Sequence, residues 1–187
     1  MEAPGDAPDA TGWLPGARHV LSPNHDDRPA GTRVDLVVLH AISLPPDEFG
    51  GPYVEALFTN RLDSRAHPYF ATLEGLRVSA HFVIDRVGAL TQFVALEARA
   101  WHAGVSRWQG RERCNDFSIG IELEGCDTRP FEDAQYATLA SLLAELFARL
   151  PTLGRERVVG HSDVAPGRKT DPGPCFDWAR ARRGLPR

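Results

Sequence analysis

Two apolar segments of the sequence stop directly at a histidine. Residues 34–39 form a nearly continuous apolar run that is followed by His40, and residues 157–160 form a shorter run that is followed by His161. Runs of this kind are typical of buried strands. Ligands of open α/β sheets bind beyond the carboxyl ends of the strands. If the two strands are neighbours, both histidines lie at the same edge of one sheet.

The remaining elements complete an α/β pattern. Residues 79–86 and 89–94 read as two strands joined by a turn, which predicts a hairpin. Apolar residues at helical spacing predict a helix over 133–150, which Asp133 can cap and Pro151 ends. A smaller helix is expected around residues 53–58. The sequence therefore predicts a single α/β domain with a central mixed β-sheet flanked by helices.

The segment 118–125 alternates between an apolar face and a second face that carries Gly120, Glu122 and Glu124. That second face is either solvated or lines a cleft. In a cleft beside a metal ion, one carboxylate could take a proton from water. The alternation does not choose between Glu122 and Glu124, because both point the same way.

Composition limits the classes of function. A chain of 187 residues with a net charge of −4 fits one compact domain and argues against binding to nucleic acid, which normally needs a basic surface. No apolar run approaches the roughly 20 residues of a membrane span. We expect neither nucleic acid nor a membrane as a partner, and we expect a monomer.

The two ends and the cysteines suggest a location. Residues 1–11 are expected to be a disordered tail before a domain at 12–187, and residues 180–187 are expected to be solvated. The first residues lack the apolar core of a secretory signal. The three cysteines, Cys114, Cys126 and Cys175, are odd in number and lack paired spacing. We therefore expect a cytosolic protein with free, buried thiols.

A third metal ligand is suggested by the stretch after His161. Residues 160–174 are too rich in proline and glycine for a helix, so we expect a stiff loop that can bring Asp171 back towards His161. Two imidazoles and one carboxylate form a ligand set of catalytic zinc, with a fourth position left for water. Spacing alone is weak support, because a histidine and an aspartate ten positions apart are common. If Asp171 binds metal, Lys169 lies close enough to steady an oxyanion.

Several motifs resemble the AmpD family of N-acetylmuramoyl-L-alanine amidases. The similarity runs from about Gly12 to Trp178 and includes the sequences at residues 39–51, 77–81, 99–106, 110–125 and 160–178. The resemblance implies the fold of zinc amidases and peptidoglycan recognition proteins. It also implies a cytosolic enzyme that takes a small-molecule substrate, the 1,6-anhydro-muramyl peptides of cell-wall recycling, with Zn²⁺ as cofactor.

The resemblance also assigns roles to individual residues. It implies that His40, His161 and Asp171 are zinc ligands and that Glu122 is the catalytic carboxylate. It implies that Lys169 stabilises the tetrahedral intermediate. It also implies that Arg77 and Arg113 contact the peptide carboxylates and that Trp101 contacts the sugar.

The sequence departs from the family pattern beside both histidine ligands. Ala41 stands where Asn is usual, which affects substrate affinity or peptide selectivity, and Ser162 stands where Cys is frequent. Three alternatives remain open: an amidase acting on intact peptidoglycan, a non-catalytic peptidoglycan-binding module, and a domain in which zinc only supports the fold. The last alternative needs a fourth ligand, for which His25, His67, His81 and His102 are the candidates.

Overall fold

The computed structural model describes residues 12–184 and contains ten strands and five α-helices in that range. The strands are β1 (Arg18–His19), β2 (His25–Asp27), β3 (Leu36–Ile42), β4 (Phe82–Ile84), β5 (Leu90–Gln92), β6 (Ala98–Ala100), β7 (Arg107–Trp108), β8 (Arg111–Glu112), β9 (Ser118–Glu124) and β10 (Val158–Gly160). The helices are α1 (Tyr53–Phe58), α2 (Pro68–Ala71), α3 (Asp133–Arg149), α4 (His161–Val164) and α5 (Trp178–Arg183).

Six of the strands form the main sheet in the order β1–β5–β4–β9–β3–β10. The pair β4–β5 is antiparallel and the other four pairs are parallel, so the sheet is mixed. Two small antiparallel pairs, β2–β6 and β7–β8, lie outside it. The predicted α/β fold with a central mixed sheet is confirmed, and the hairpin expected around Val87 and Gly88 is the β4–β5 pair.

The two strands that end at histidines are neighbours. Strands β3 and β10 are parallel, with Val37 opposite Val158 and Leu39 opposite Gly160. On its other side β3 pairs with β9, and His40 lies opposite Glu122. Because all three strands run in the same direction, their carboxyl ends form one edge of the sheet.

One face of the sheet is covered by α3. Its buried leucines, including Leu139, Leu143 and Leu146, pack against the apolar residues of β9 and against Leu39. A fully buried side chain of this size stabilises the fold by about 1.5–3 kcal/mol relative to an exposed one. Because side chains alternate along β3 and β9, this packing turns His40 and Glu122 to the opposite face.

Several local expectations are corrected by the structure. Glu132 rather than Asp133 is the N-cap of α3, and its backbone N–H donates to Gln135 Oε1 at 3.0 Å. The proline-rich stretch after residue 160 begins with the short helix α4. Residues 178–183, which overlap the expected solvated tail, form α5, and the expectation for residues 1–11 lies outside the described residues.

The cysteines are free, as expected, but only Cys114 is buried; Cys126 and Cys175 are half-buried. In the described range, the helices are either too short or too polar to cross a bilayer.

Candidate active site

Three side chains with metal-binding atoms meet at the carboxyl edge of the sheet. His40 lies near the end of β3, His161 is the first residue of α4, and Asp171 lies in the loop that follows. The Nδ1 atoms of His40 and His161 are 2.9 Å apart, and Asp171 Oδ2 lies 3.1 Å from the first and 3.0 Å from the second. The structure therefore brings together the three residues predicted as metal ligands.

Backbone hydrogen bonds fold the loop after α4 so that Asp171 lies beside the two histidines. The N–H of Ser162 donates to the carbonyl of Asp171 at 3.0 Å, which closes the loop between them. The N–H of Lys169 donates to the carbonyl of Ala165 at 3.1 Å and tightens the same loop. These bonds explain how a carboxylate ten residues along the chain faces His161.

The protonation states of the two histidines and Asp171 favour binding of a cation between them. His161 Nε2 lies 3.2 Å from the carbonyl of Ala103, which can only accept, so this nitrogen carries the hydrogen. In the neutral ring Nδ1 then holds a lone pair that points at His40 and at Asp171. Lone pairs of two imidazoles and a carboxylate repel one another unless a positive charge lies among them.

Burial favours the same states. It lowers the pKa of His40 to about 4, so this ring is neutral at neutral pH. Burial alone would raise the pKa of Asp171, but the proximity of His161 and His40 outweighs it and holds that pKa below its usual range. Neutral imidazole and ionised carboxylate are the forms that bind a metal.

Glu122 and Glu124 share a face of β9 but have different environments. Glu124 accepts the backbone N–H of Gly50 at 2.5 Å and that of Arg86 at 3.1 Å, so its carboxylate is committed to holding two loops. Glu122 is buried, lines the cleft beside the metal-binding cluster, and its Oε2 has no hydrogen-bond partner within residues 12–184. The geometry therefore separates the two glutamates that the alternation along the strand leaves equivalent.

The carboxyl group of Glu122 is also poised to hold a proton. Burial raises its pKa well above the usual range, and the negative charge of Asp171 raises it further, while the positive charge of Lys169 opposes both effects. A carboxyl group whose pKa is raised by burial is a typical proton acceptor and donor in active sites.

Lys169 is the cation that remains available at this edge. The neighbouring guanidinium of Arg168 donates to the carbonyls of Ala103 at 2.6 Å and Val105 at 2.7 Å, and is therefore engaged. Lys169 lines the cleft, and its charge acts on both His40 and Glu122. An ammonium group in this position can stabilise negative charge that develops near the cluster.

The metal-binding cluster opens into a cleft of about 450 Å³. Trp101 lines it and is oriented by a hydrogen bond from its Nε1 to Asp26 Oδ1 at 3.1 Å. Ala41, at the position where Asn is usual in the family, also lines the cleft. Apolar and aromatic side chains form a further part of the lining: Leu57, Phe58, Tyr69, Leu73, Leu76 and Val78.

The two arginines predicted to bind substrate lie on the surface. Arg77 is exposed between two cleft-lining residues, Leu76 and Val78, but is not itself among the lining residues. Arg113 is exposed, and its Nε lies 3.2 Å from Asp116 Oδ2. Their roles remain predictions.

A closed four-ligand centre is not present among the described residues, where the cluster has three members. His67 accepts the N–H of Tyr69 at the start of α2, and His81 accepts the N–H of Gly120. Nδ1 of His102 contacts Nε2 of His40, the His40 nitrogen that faces away from the cluster. This contact was missed in the sequence, where His102 was considered only as a fourth ligand.

Comparison with known proteins agrees with this geometry. The family model "N-acetylmuramoyl-L-alanine amidase" matches residues 30–174, and these include all three residues of the cluster. The chain belongs to the N-acetylmuramoyl-L-alanine amidase family. The fold and the enzyme class expected from the resemblance are therefore confirmed.

Individual relatives of this amidase are similar over most of their length. The 1,6-anhydro-N-acetylmuramyl-L-alanine amidase AmpD of Escherichia coli K12 is 58% identical over 171 residues, which are 91% of this chain and 93% of the relative. The enzyme of the same name from Haemophilus influenzae is 52% identical over 169 residues, which are 90% of this chain and 92% of the relative.

Solved structures give the same result. The crystal structure of a selenomethionine AmpD derivative has a TM-score of 0.92 and 56% identity, and covers 94% of this chain and 98% of that one. The amidase AmiD of E. coli was solved with anhydro-N-acetylmuramic acid-L-Ala-D-γ-Glu-L-Lys. It has a TM-score of 0.60 and 31% identity, and covers 84% of this chain and 60% of that chain.

Proposed function

We propose that this amidase uses one zinc ion, held by His40, His161 and Asp171, to hydrolyse the amide between the lactyl group of 1,6-anhydro-N-acetylmuramic acid and L-alanine. We further propose that it does so in the cytoplasm, on muropeptides released during cell-wall recycling. The observation that carries the proposal is a buried carboxyl group, Glu122, which lines the same cleft as a cluster of three metal-binding atoms.

The donor set suits zinc, which is commonly bound in catalytic sites by three nitrogen or oxygen ligands with one position left open. When bound, the ion would supply a Lewis acid that acidifies water and polarises an amide carbonyl. The protein's own contribution is to hold two neutral imidazoles and one carboxylate at a fixed spacing, which the strand ends and the closed loop achieve.

Glu122 is assigned the proton transfers. Its carboxylate takes the proton of the attacking water and later delivers a proton to the alanine nitrogen as the carbon–nitrogen bond breaks. The raised pKa assists the first step, because a more basic carboxylate takes the proton of water more readily and retains it until the amine leaves. General acid–base catalysis of this kind contributes about 10²–10⁴-fold in rate.

The remaining predicted residues are assigned to stabilising the oxyanion and to binding the substrate. Lys169 is assigned to the oxyanion that forms on the lactyl carbonyl oxygen, and loss of one such donor costs on the order of 10²-fold in kcat. Trp101 is assigned to the sugar, since its indole forms part of the cleft wall. Arg77 and Arg113 are assigned to the carboxylates of the stem peptide.

Mass spectrometry of reaction products tests the proposed substrate. The protein is incubated with an anhydro-muramyl tripeptide in one arm and with intact sacculi in another. We expect free tripeptide and 1,6-anhydro-N-acetylmuramic acid from the first arm, and much slower release from the second. Release from sacculi at an equal or higher rate would instead favour an enzyme of intact peptidoglycan. Release from neither would favour a non-catalytic binding module.

A further inference from the structure

His102 joins the metal-binding cluster to the protein interior through hydrogen bonds whose directions are fixed. Ser118 Oγ lies 2.6 Å from the carbonyl of Cys114 and must donate to it, because a carbonyl only accepts. The hydroxyl has one hydrogen, so at its contact of 3.2 Å with His102 Nε2 it accepts. The Nδ1 of neutral His102 then holds a lone pair and accepts from His40 Nε2 at 2.9 Å.

These hydrogen bonds determine which nitrogen of His40 carries the hydrogen and which holds the lone pair. Because His40 donates through Nε2, its Nδ1 is unprotonated, as metal binding requires. The partner is unusual, since carboxylates, carbonyls and water are the common acceptors for a ligating histidine.

The residue after His102 holds the second imidazole. The carbonyl of Ala103 accepts from His161 Nε2 at 3.2 Å. Asn115 fixes this short segment, because its Oδ1 accepts the backbone N–H of His102 at 3.2 Å and that of Ala103 at 2.8 Å. Two consecutive residues therefore orient both histidines of the cluster.

Strand β9 supplies the other half of the support. Ser118, Gly120 and Glu122 alternate onto one face: the first accepts from His102, and the third faces the cluster. Gly120 lies between them, and a methyl group at this position would overlap the His102 ring. The absence of a side chain at Gly120 therefore leaves room for the imidazole ring of His102.

We propose that His102 is a positioning residue of the metal site. It sets the tautomer and orientation of His40, and its own tautomer is set by its bond to Ser118, whose hydroxyl donates to the carbonyl of Cys114. This inference rests on the proposed zinc site. The inference concerns the affinity of the site for zinc and does not depend on the identity of the substrate.

The equilibrium affinity of the metal-free protein for Zn²⁺ tests the proposal. His102→Leu keeps most of the volume but removes the acceptor for His40, and we expect the zinc Kd to rise by about 10- to 100-fold, as for other partners of ligating histidines. His102→Gln can accept and donate in a similar arrangement, so it is expected to recover most of that loss.

A matched control is His81→Leu. His81 is buried in the same region, its ring lies edge-on to His102 with the centroids 6.0 Å apart, and it bonds to the N–H of Gly120 and the carbonyl of Ala98, but it makes no hydrogen bond to His102 or to a residue of the cluster. We expect this variant to melt at a lower temperature with an unchanged zinc Kd. Competition with a chromophoric chelator at fixed pH gives the Kd, and circular dichroism of the metal-free proteins gives the melting temperature.

The outcomes separate the inference from the proposed function. Failure of the unmodified protein to bind zinc would refute the proposed metal site. If it binds zinc and His102→Leu binds equally well, or if His81→Leu weakens binding as much, the positioning role is wrong. Should His102→Leu not fold, Ser118→Ala decides: the proposal expects weaker zinc binding, and an unchanged Kd overturns it.

Discussion

We expect Glu124→Ala to lower the stability of the fold and Glu122→Ala to lower kcat without lowering stability, although the two residues lie two positions apart on one face of β9. Glu124→Ala leaves the backbone N–H groups of Gly50 and Arg86 without their acceptor. An unsatisfied buried donor costs about 1–3 kcal/mol, and water can replace part of the loss at the exposed Gly50. We therefore expect a loss of about 2–3 kcal/mol in the free energy of unfolding.

For a domain of this length such a loss corresponds to a melting temperature lower by about 4–12 °C. Glu122→Ala removes a carboxyl group with an unpaired buried oxygen, so its melting temperature should be unchanged or higher. Its kcat should fall by about 10²–10⁴-fold. Glu145→Ala, which removes one exposed ion pair with Arg149, is the control and should alter neither quantity appreciably.

Two measurements on each variant decide the matter: thermal unfolding by circular dichroism and initial rates of tripeptide release by liquid chromatography. The reasoning is refuted if Glu122→Ala retains the kcat of the unmodified protein. It is also refuted if Glu124→Ala melts normally and loses activity as completely as Glu122→Ala, because the two carboxylates would then have exchanged roles.

Three further substitutions test the other assignments. Asp171→Ala should lower the zinc content measured by plasma mass spectrometry to well below one ion per chain; full occupancy would contradict its role as a ligand. Lys169→Met keeps the length of the side chain without its charge and should lower kcat on the order of 10²-fold with little change in KM; a change confined to KM would make it a binding residue. Trp101→Ala should mainly raise KM for the anhydro-muramyl peptide, and an unchanged kcat/KM would show that the indole only packs against the cleft wall.

The parts of the fold with strong local patterns could be predicted from the sequence. The helical spacing of apolar residues located α3 to within one residue of its observed end, and the alternation of residues 118–125 located β9. The sequence places His40 and His161 after apolar strands and predicts that they share an edge if the strands are neighbours; the pairing of β3 with β10 meets that condition. Such predictions succeed because the period of apolar residues directly reflects which side is buried.

The features that depend on contacts between distant segments could not be predicted in this way. Glu122 and Glu124 have identical local patterns, and only the loops that reach Glu124 distinguish them. The bond between His102 and His40 joins residues 62 positions apart. The alternation of Ser118, Gly120 and Glu122 was visible in the sequence, but its meaning depends on the ring that lies against Gly120.

The dependence of activity on bound zinc tests the central claim most directly. The protein is stripped with a chelator, its metal content is measured, and release of tripeptide from an anhydro-muramyl tripeptide is followed as Zn²⁺ is added back. We predict no turnover without metal and a rise that reaches its plateau at one zinc ion per chain. Full turnover by protein shown to contain no metal would contradict the account.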